Sequence, residues 1–492
     1  MRRPGSAFTS YGPTELAPQG GAEPESPPGG QGRPRTVGPL RRNRLLLFGF
    51  VLACYLSAPN VTNTDAYLAV PTAVSIVHTA GLELDQFRSP VVKAHHGYVE
   101  SRGRHYDYFP WANALFFVPG VVIVDVLGRL EIGSGAQALV EANRMGPLQL
   151  VTASLVTAFA AVAVAAVAYE QLQGSASRRR RVSFGVGLVF ALGTAAWSTA
   201  SRSLWQHGPS MLALAVALLA AQRLGRGHQP RRLAGALGVA GAGAYVLRPT
   251  NAIALVAFGL LVVLRHRRWV AFYIIGLLSV LAPFVAVNLA TYGRLLPPYF
   301  SAARVSLHGD YLEALAANLV SPARGILIFS PVVALSVVGF LLQVRKRRVR
   351  PLEVLAAACA VVHLLVVSAQ NEGWWAGHAF GPRFMSDVLP FLAYLSVPAV
   401  EALLGALRTS APTAAARLGA GAAALAIVVS VGINAQGAYL RSSTCWNARP
   451  MNVDFHPARV WDLHDPQVLA GFRAIASDGL LDAMLGPCSR TP

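Results

Sequence analysis

The segment "LLLFGFVLACYL" (residues 45–56), followed at once by "SAPNVTNTDAYLAV" (57–70), decides the fold. Its first part is an uninterrupted apolar run, and its second part places an acid, Asp65, just beyond the end of that run. The basic stretch "RPRTVGPLRRNR" (33–44) precedes the run. Because Lys and Arg flanks stay on the cytoplasmic side of a membrane, this order predicts a cytoplasmic amino terminus and an external Asp65.

Composition extends this interpretation to the whole chain of 492 residues. Hydrophobic residues make up 54% and charged residues only 13%, as in polytopic membrane proteins. A membrane-spanning helix needs ~20 mostly apolar residues. Apolar runs of about this length recur at 45–58, 112–128, 147–169, 182–199, 208–224, 232–247, 251–265, 269–290, 324–342, 351–369, 384–404 and 414–435.

The formal charge of +19 would indicate a nucleic-acid partner in a soluble chain. Here the basic residues cluster in short loops between apolar runs, as in "RRRR" (178–181), "RHRR" (265–268) and "RKRRVR" (345–350). Such clusters are typical of cytoplasmic membrane loops. We therefore expect membrane lipid, and no nucleic acid, as a partner.

The basic loops also constrain the number of crossings, because each crossing moves the chain to the other side. Twelve crossings would place these loops outside, whereas eleven place them inside. The run removed is 111–128, "WANALFFVPGVVIVDVLG", which contains Pro119, Gly120 and Asp125. We interpret it as a segment embedded in the outer leaflet and covered by other protein. The prediction is an all-α polytopic membrane protein with about 11 transmembrane helices and an external carboxyl terminus.

Three parts follow from this topology. Residues 1–43, rich in Pro, Gly and Ser, are predicted to form a disordered, basic cytoplasmic tail. Within it and the first run, "VLAC", which ends at Cys54, loosely resembles a lipoprotein cleavage site. Residues 44–435 form the transmembrane domain, whose first external loop spans 59–146. Residues 436–492 form a small external cap.

Polar motifs gather on the external side in a recognisable order. After Asp65 come "GYVESRGRHYDYFPW", "SRSLWQHGP", "RPT", "YGRLLPPY", "SPARGILIFSP" and "WWAGHAFGPRF". Over about residues 45–470 this order resembles bacterial membrane glycosyltransferases of the GT-C superfamily. That superfamily includes protein O-mannosyltransferases, aminoarabinose transferases and oligosaccharyltransferase catalytic subunits.

The resemblance implies a function. Such enzymes take a sugar from a polyprenyl-phosphate or polyprenyl-diphosphate donor outside the membrane, using an Asp in the first external loop that matches Asp65. The lipid-linked sugar is a substrate, so no cofactor is expected. The acceptor would be an extracytoplasmic glycan, lipid or protein. Oligosaccharyltransferases have metal-binding acids in the second external loop, but "SRSLWQHG" has none, which favours an enzyme without a metal.

The chemistry of glycosyl transfer points to the same residues. A base must take the proton of the acceptor hydroxyl, and Asp65 at a span end is suited to that role. A helix-capping Asp65 is the alternative, since "TNTDAY" is a fair N-cap sequence. The secondary acid candidates are Glu83, Asp85 and Asp107.

A phosphate needs cationic partners, and the planar guanidinium of Arg can hold two of its oxygens. Four Arg residues at external span ends are candidates, and snorkelling to the headgroups is the alternative for each. They are Arg202, Arg248, Arg324 and Arg383.

Further side chains could contact the sugar or the phosphate: His207, His378, Tyr299 and Trp375. An aromatic belt at the membrane boundary is the alternative for the tryptophan. His95, His96 and His105 are dense enough to suggest zinc, but "VVKAHHGYVESRGRHYDYFP" is better explained by two short strands around "SRGR". We expect no metal site.

Four cysteines divide unevenly between the parts of the chain. Cys54 and Cys359 lie in apolar runs, whereas Cys445 and Cys488 lie in the external cap. The latter two share an oxidising compartment under this topology, so we predict a disulfide between them.

A transporter or a non-catalytic membrane scaffold is the alternative function. Transporters usually show repeats and broken helices near the membrane midplane, whereas the polar groups here gather on one side. The glycosyltransferase is therefore favoured, at the plasma membrane and with its active face outside. The sequence identifies neither the sugar nor the acceptor. It also does not distinguish a monophosphate from a diphosphate donor, and it gives neither the oligomeric state nor whether a metal is needed.

The topology gives a direct prediction. On a background without native cysteines, a Cys placed in "RRRR" (178–181) should resist an impermeant thiol reagent in intact cells, while a Cys in "NEGWWAGH" (371–378) should react. Labelling is measured by mass spectrometry, with lysed cells as the control for reactivity. Labelling of the arginine loop from outside would contradict eleven crossings.

Overall fold

The computed structural model describes residues 38–62, 65–371 and 373–488. Most of the tail predicted over residues 1–43 lies outside the described residues. The described segments are mainly helical, and their only sheet is a two-stranded hairpin.

The first part of the chain contains one long helix and a set of short elements. They are α1 (Pro39–Leu56), α2 (Ala69–Thr79), α3 (Pro90–Lys93), β1 (Tyr98–Ser101), β2 (Arg104–Asp107), a 3₁₀ segment (Trp111–Phe116), α4 (Val118–Arg129) and α5 (Ala136–Glu141).

Long helices dominate the middle. They are α6 (Gly146–Gln171), α7 (Ala176–Leu192), α8 (His207–Leu224), α9 (Pro230–Leu247), α10 (Ala252–Arg265), α11 (Val270–Tyr292), α12 (Tyr311–Val320), α13 (Ile326–Phe329), α14 (Ala334–Arg345), α15 (Pro351–Ser368), α16 (Leu389–Ala406) and α17 (Ala414–Tyr439). A π-helical turn (Ala196–Ala200) and a 3₁₀ segment (Arg383–Val388) precede α8 and α16. The chain ends with α18 (Arg441–Cys445), α19 (Gln467–Asp478) and α20 (Leu480–Leu485).

Several of these helices suit a membrane. Within the described ranges, five segments are long and apolar enough to cross one: Gly146–Gln171, Arg267–Tyr292, Pro351–Ser368, Arg383–Ala406 and Ala414–Tyr439. Only 17% of the apolar window of the second is buried inside the protein. Because so much apolar surface is stable only against lipid, the chain is a multi-pass membrane protein. Eleven crossings remain a prediction.

The two ends of the helices differ in chemistry. Glu170, near the end of α6, binds Arg223 and Arg226 near the end of α8, so these ends lie together. The "RRRR" stretch opens α7 beside them, with Arg179 donating to the Tyr169 carbonyl at 2.7 Å. The chain reverses between successive long helices, so α8 begins at the opposite end. We call these the basic end and the polar end.

Small residues let two of the helices approach closely. A Cβ on Gly276 of α11 would lie 2.1 Å from the Gly235 carbonyl oxygen of α9, and a Cβ on Gly238 would lie 2.1 Å from that of Tyr273. Neither position has room for a side chain. Such packing of small residues is typical of helix pairs in membranes, where backbone contact replaces the hydrophobic effect.

Residues 65–146, within the loop predicted to be external, form a set of short ordered elements. Strands β1 and β2 pair antiparallel with Tyr98 opposite Asp107, and the turn between them has positive φ at Arg102 and Gly103, as expected for "SRGR". Helix α4, in the segment predicted to be embedded, has 12 residues. At 1.5 Å per residue it extends about 18 Å, short of the ~30 Å hydrocarbon core. Ile123 is 59% exposed, which leaves an apolar face available to lipid.

The carboxyl-terminal cap is held together by a buried arginine and a disulfide. Arg459 donates to the carbonyl oxygens of Trp446, Met451 and Arg449 and to the Asp465 carboxylate. Cys445 in α18 is joined to Cys488 beyond α20, with their Cα atoms 5.3 Å apart. Cys54 and Cys359 are free thiols.

Thiol counting tests this arrangement. Purified protein denatured without reductant should take up two equivalents of an alkylating reagent, at Cys54 and Cys359, and four after reduction. The Cys445→Ser, Cys488→Ser variant should be less stable by about 2–4 kcal/mol, because the closed loop limits the unfolded cap. Uptake of four equivalents without reductant would refute the pairing.

Candidate functional site

An ion pair at the polar end joins the beginning of the chain to its last third. Arg383 Nη1 lies 2.8 Å from Asp65 Oδ2, although the residues are 318 positions apart. The Arg383 side chain is 7% exposed and that of Asp65 is 23% exposed. The pair therefore lies at the mouth of the bundle, where solvent still reaches the carboxylate.

Local backbone geometry places Arg383. Gly381 has φ 69°, and a Cβ there would lie 2.5 Å from the Phe329 ring. Only glycine fits this turn, and Pro382 then leads into the 3₁₀ segment that Arg383 opens. The Gly381 N–H donates to Gln467 Oε1 at 3.2 Å, so the cap also holds the turn.

The Arg383 guanidinium retains unused binding capacity. It stacks over Trp205 at 4.2 Å and over Phe384 at 5.1 Å. Its Nε is buried with no hydrogen-bond partner among the described residues, as is Trp205 Nε1. Buried donors without partners are rare in proteins and mark places where a ligand or water completes the bonding.

The surroundings of Asp65 keep it ionised. Burial opposes the charge, but the Arg383 guanidinium and His96, whose Nε2 lies 3.5 Å from Oδ1, hold the pKa of Asp65 well below its usual range. His96 stacks on His95 with ring centroids 4.3 Å apart and meets the Phe109 ring at 5.7 Å. One aromatic wall therefore borders the carboxylate.

Asp107 is the second acid at this wall. It ends β2, is 4% exposed, and accepts a hydrogen bond from the Phe109 N–H at 3.0 Å. Burial raises the pKa of Asp107 well above its usual range, and the negative charge of Asp65 adds to the shift. The environments of these two carboxyl groups thus push their pKa values apart, as in acid and base pairs.

The other two acid candidates bind the hairpin. Glu83 Oε1 lies 3.0 Å from Arg104 Nη1, and Asp85 accepts from the His105 backbone N–H at 3.0 Å and pairs with its ring at 2.7 Å. These contacts fasten β2 to the loop after α2. Among the described residues no group of three or more His, Cys, Asp or Glu side chains could hold a metal ion.

A second charged cluster lies deeper, and its acid is one that the sequence analysis overlooked. Asp387 Oδ2 is 2.7 Å from Arg248 Nε and 3.4 Å from His207 Nδ1, while Arg248 Nη1 is 3.0 Å from His207 Nε2. All three side chains are at most 3% exposed. An ionisable residue inside an apolar run is itself a signal of function, and Asp387 in the run 384–404 carried that signal.

Sequence explains how these side chains reach one another. Arg248 precedes Pro249, which disfavours a helical conformation of Arg248, and its extended backbone (φ −149°, ψ 125°) ends α9. His207 is the first residue of α8. The Phe384 ring lies 5.1 Å from the Arg383 guanidinium and 5.8 Å from that of Arg248, so it separates the two clusters.

Arg202 and Arg324 are occupied by protein acceptors. Arg202 donates to the Tyr55 and Ala58 carbonyl oxygens at 2.5 and 2.7 Å and so caps the carboxyl end of α1. All five donors of Arg324 are used, on the carbonyl oxygens of Ala323, Trp375 and Gly377 and on the Asn447 and Gln467 side chains. Both guanidinium groups therefore stabilise the fold, and neither has two free N–H donors on one edge with which to bind a phosphate.

The remaining candidates divide between the mouth and the cap. Tyr299 meets the Phe109 ring at 5.5 Å and lies beneath Arg304 at 4.8 Å, so it continues the aromatic wall. Trp375 Nε1 donates to Asp454 at 2.8 Å, and His378 Nε2 lies 3.3 Å from the same carboxylate. These two side chains fasten the loop before Arg383 to the cap.

Charge removal in the deep cluster should be costly. Asp387→Asn leaves Arg248 buried without a counter-charge, and we expect a loss of about 3–5 kcal/mol of stability. Thermal unfolding in detergent, followed by tryptophan fluorescence, measures it. Adding Arg248→Gln should restore part of the loss, and Asp125→Asn, which breaks a partly exposed pair with His78, serves as the control. Unchanged unfolding of Asp387→Asn would contradict a paired cluster.

No protein-family model and no curated protein sequence matches the chain. Solved structures are similar to it at low identity, among them the following three. An Archaeoglobus fulgidus oligosaccharyltransferase tethered to an acceptor peptide is 12% identical with a TM-score of 0.49, covering 85% of this chain, which spans 58% of that enzyme. ArnT from Cupriavidus metallidurans bound to undecaprenyl phosphate is 15% identical with a TM-score of 0.46, covering 91% of this chain and 73% of ArnT. Its apo state is 14% identical with a TM-score of 0.47, covering 90% and 76%.

Proposed function

We propose that this protein is a membrane glycosyltransferase that moves a sugar from a polyprenyl-phosphate donor to an extracytoplasmic acceptor. The observation that carries the proposal is the Asp65–Arg383 pair, in which a base candidate and a guanidinium with a free, buried Nε lie 2.8 Å apart at the mouth of the bundle. A polyprenyl-phosphate donor is the class implied by the resemblance of the sequence motifs to GT-C glycosyltransferases. Such a site requires the polar end to be external and the amino terminus to be cytoplasmic.

Arg383 is the proposed ligand of the donor phosphate. Two phosphate oxygens can accept from Nε and Nη2, which share one edge of the guanidinium, and the phosphate then competes with Asp65, bound to Nη1, for the positive charge. The tryptophan beneath the guanidinium keeps its plane fixed, which lowers the cost of ordering it. Arg248 lies behind Phe384 and adds positive potential, while Asp387 keeps that second charge in place.

Asp65 is the proposed general base. With Arg383 paired to it, its low pKa makes it a weak base. Donor binding moves Arg383 toward the phosphate, so the proton affinity of Asp65 rises when the donor is present. The carboxylate then takes the acceptor proton as the acceptor oxygen bonds to the anomeric carbon. The bond from that carbon to the phosphate oxygen breaks, and its electron pair leaves with the lipid phosphate, whose growing charge Arg383 stabilises.

Asp107 is the competing base. Its pKa is raised whereas that of Asp65 is lowered, so the ionised form of Asp107 would be the stronger base. Its burial and the hydrogen bond that it accepts from the Phe109 N–H favour a supporting role instead, in which it holds the backbone after β2.

Matched amide variants separate these roles. Asp65→Asn should lower transfer by at least ~10²-fold, because the amide cannot accept the proton. Binding of undecaprenyl phosphate should survive. Transfer is measured in proteoliposomes with a panel of labelled undecaprenyl-phosphate sugars and cell-envelope extract as acceptor, and lipid binding by native mass spectrometry.

The controls use the same loop and the same pair. Asp85→Asn makes the same chemical change at an acid bound to His105, and transfer should fall less than ~3-fold. Arg383→Gln should weaken binding of undecaprenyl phosphate as well as transfer. Normal transfer by a folded Asp65→Asn, with loss in Asp107→Asn, would make Asp107 the base. Failure of the native protein to bind undecaprenyl phosphate would favour the transporter or scaffold.

A further inference from the structure

A polar cavity opens at the basic end, away from the proposed active site. It has a volume of about 420 Å³, within the roughly 300–1,000 Å³ typical of small-molecule sites. Its polar lining consists of Gln222, Arg226, Arg265, His266, Arg350 and Tyr394. We call it the basic cavity.

Chain geometry separates the basic cavity from the deep cluster. Pro351, which lines the cavity, begins α15, and His363 on the same helix donates to the Phe384 carbonyl oxygen at 2.9 Å. These residues are twelve positions apart, which is about 18 Å along the helix axis. The basic cavity is therefore outside the site proposed for glycosyl transfer.

Three helix ends bring its cations together. Arg226 follows the end of α8, Arg265 is the last residue of α10, and Arg350 precedes the first residue of α15. Arg226 shares Glu170 with Arg223. For the Arg265 guanidinium, no ion pair or hydrogen bond is found within the described ranges. Glu353 lies behind the lining, where it is 1% exposed and accepts from the Arg350 backbone N–H at 2.8 Å and from Gln343 at 3.2 Å.

A buried hydroxyl forms the floor. Tyr394 is 2% exposed, lines the basic cavity and lies on its protein side. Its hydroxyl can donate one hydrogen bond to a ligand in that space. Together with the arginines it provides donors on several sides of one space, which suits the tetrahedral oxygens of a phosphate group.

The walls of the cavity indicate the source of that phosphate. Leu261 and Leu352 line it, and the neighbouring residues Leu264 and Val354 are 74% and 52% exposed on the outer surface of α10 and α15. In a membrane protein such surfaces contact acyl chains. We propose that the basic cavity binds the phosphate group of an anionic phospholipid, whose chains lie along α10 and α15. Basic pockets between membrane helices bind anionic headgroups by this chemistry.

Selective loss of lipid tests the proposal. Full-length protein in nanodiscs of equal phosphatidylglycerol and phosphatidylcholine, released into the gas phase for native mass spectrometry, should retain phosphatidylglycerol preferentially. Arg265→Gln with Arg350→Gln should reduce that retention by about 25-fold, since each arginine near a surface phosphate contributes about 5-fold. Tyr394→Phe should reduce it by a few-fold, and it provides a milder variant if the double one is unstable.

The matched control is Arg268→Gln with Arg348→Gln. These arginines belong to the same two loops but do not line the basic cavity, and the variant should retain phosphatidylglycerol to within about 2-fold of the native protein. Equal losses in the two double variants would mean general attraction to a basic surface and would overturn the site.

Inorganic phosphate tests the other source. If millimolar phosphate raises the thermal unfolding midpoint of native protein in neutral detergent, but not that of Arg265→Gln with Arg350→Gln, while phosphatidylglycerol is not preferred, the ligand is a soluble anion and the lipid assignment is wrong. Undecaprenyl phosphate binding, measured in the same double variant, should remain within about 2-fold of the native level. Its loss would mean that the basic cavity belongs to the donor site.

Discussion

Arg383 and Asp65 share one short ion pair, and the arrangement of the polar end depends on it. The pair links the loop after α1 to the 3₁₀ segment before α16, and so brings two distant parts of the chain together at the mouth. Neither partner is saturated, because Arg383 Nε has no partner among the described residues and Asp65 is still reached by solvent. An ion pair of this kind can exchange its partner for a phosphate without unfolding the site.

The surrounding charges explain why such a pair tolerates burial. A buried charge is costly unless it is paired or well hydrogen-bonded. In the deep cluster the charge of Arg248 is paired with that of Asp387. The charges of Arg202 and Arg324 are instead stabilised by hydrogen bonds to backbone carbonyl and side-chain amide oxygens. Arg202 and Arg324 thus stabilise a helix end and the cap, Arg248 belongs to the deep cluster, and Arg383 lies at the mouth. The different roles of these arginines can be recognised only from the groups that each of them contacts.

Much of the fold could be predicted from the apolar runs, because each run is long and polar loops separate them. The runs 147–169 and 414–435 correspond to α6 and α17, and "SRGR" forms the hairpin turn. Side-chain partners could not be predicted in the same way. Nothing in "SPARG" indicates that Arg324 donates to Gln467, 143 positions away. From the sequence alone, Arg324 and Arg383 are therefore equally good candidates for binding a phosphate.

Asp387 was missed for a different reason. Its neighbours in "RFMSDVLP" are mostly apolar, so hydropathy predicts a membrane-spanning segment there and gives its single acid no role. The free-energy cost of burying a charge identifies it, because an acid in an apolar run requires a cation nearby. Arg248, at another span end, is a candidate for that cation. Ionisable residues inside apolar runs therefore indicate buried ion pairs, which the loop motifs do not reveal.

The two ends of the bundle use the same chemistry under different constraints. At the polar end, Arg383 pairs with a solvent-reached carboxylate and retains a free donor, which suits a ligand that arrives and leaves. At the basic end, Arg265 has no protein partner in the described ranges and lies beside apolar helix surface, which suits a lipid that stays. Helices α8, α10, α15 and α16 run between these ends. Of these, α8 begins two residues after Trp205 and α16 directly follows the segment that Arg383 opens, so these two helices connect the two proposed phosphate sites.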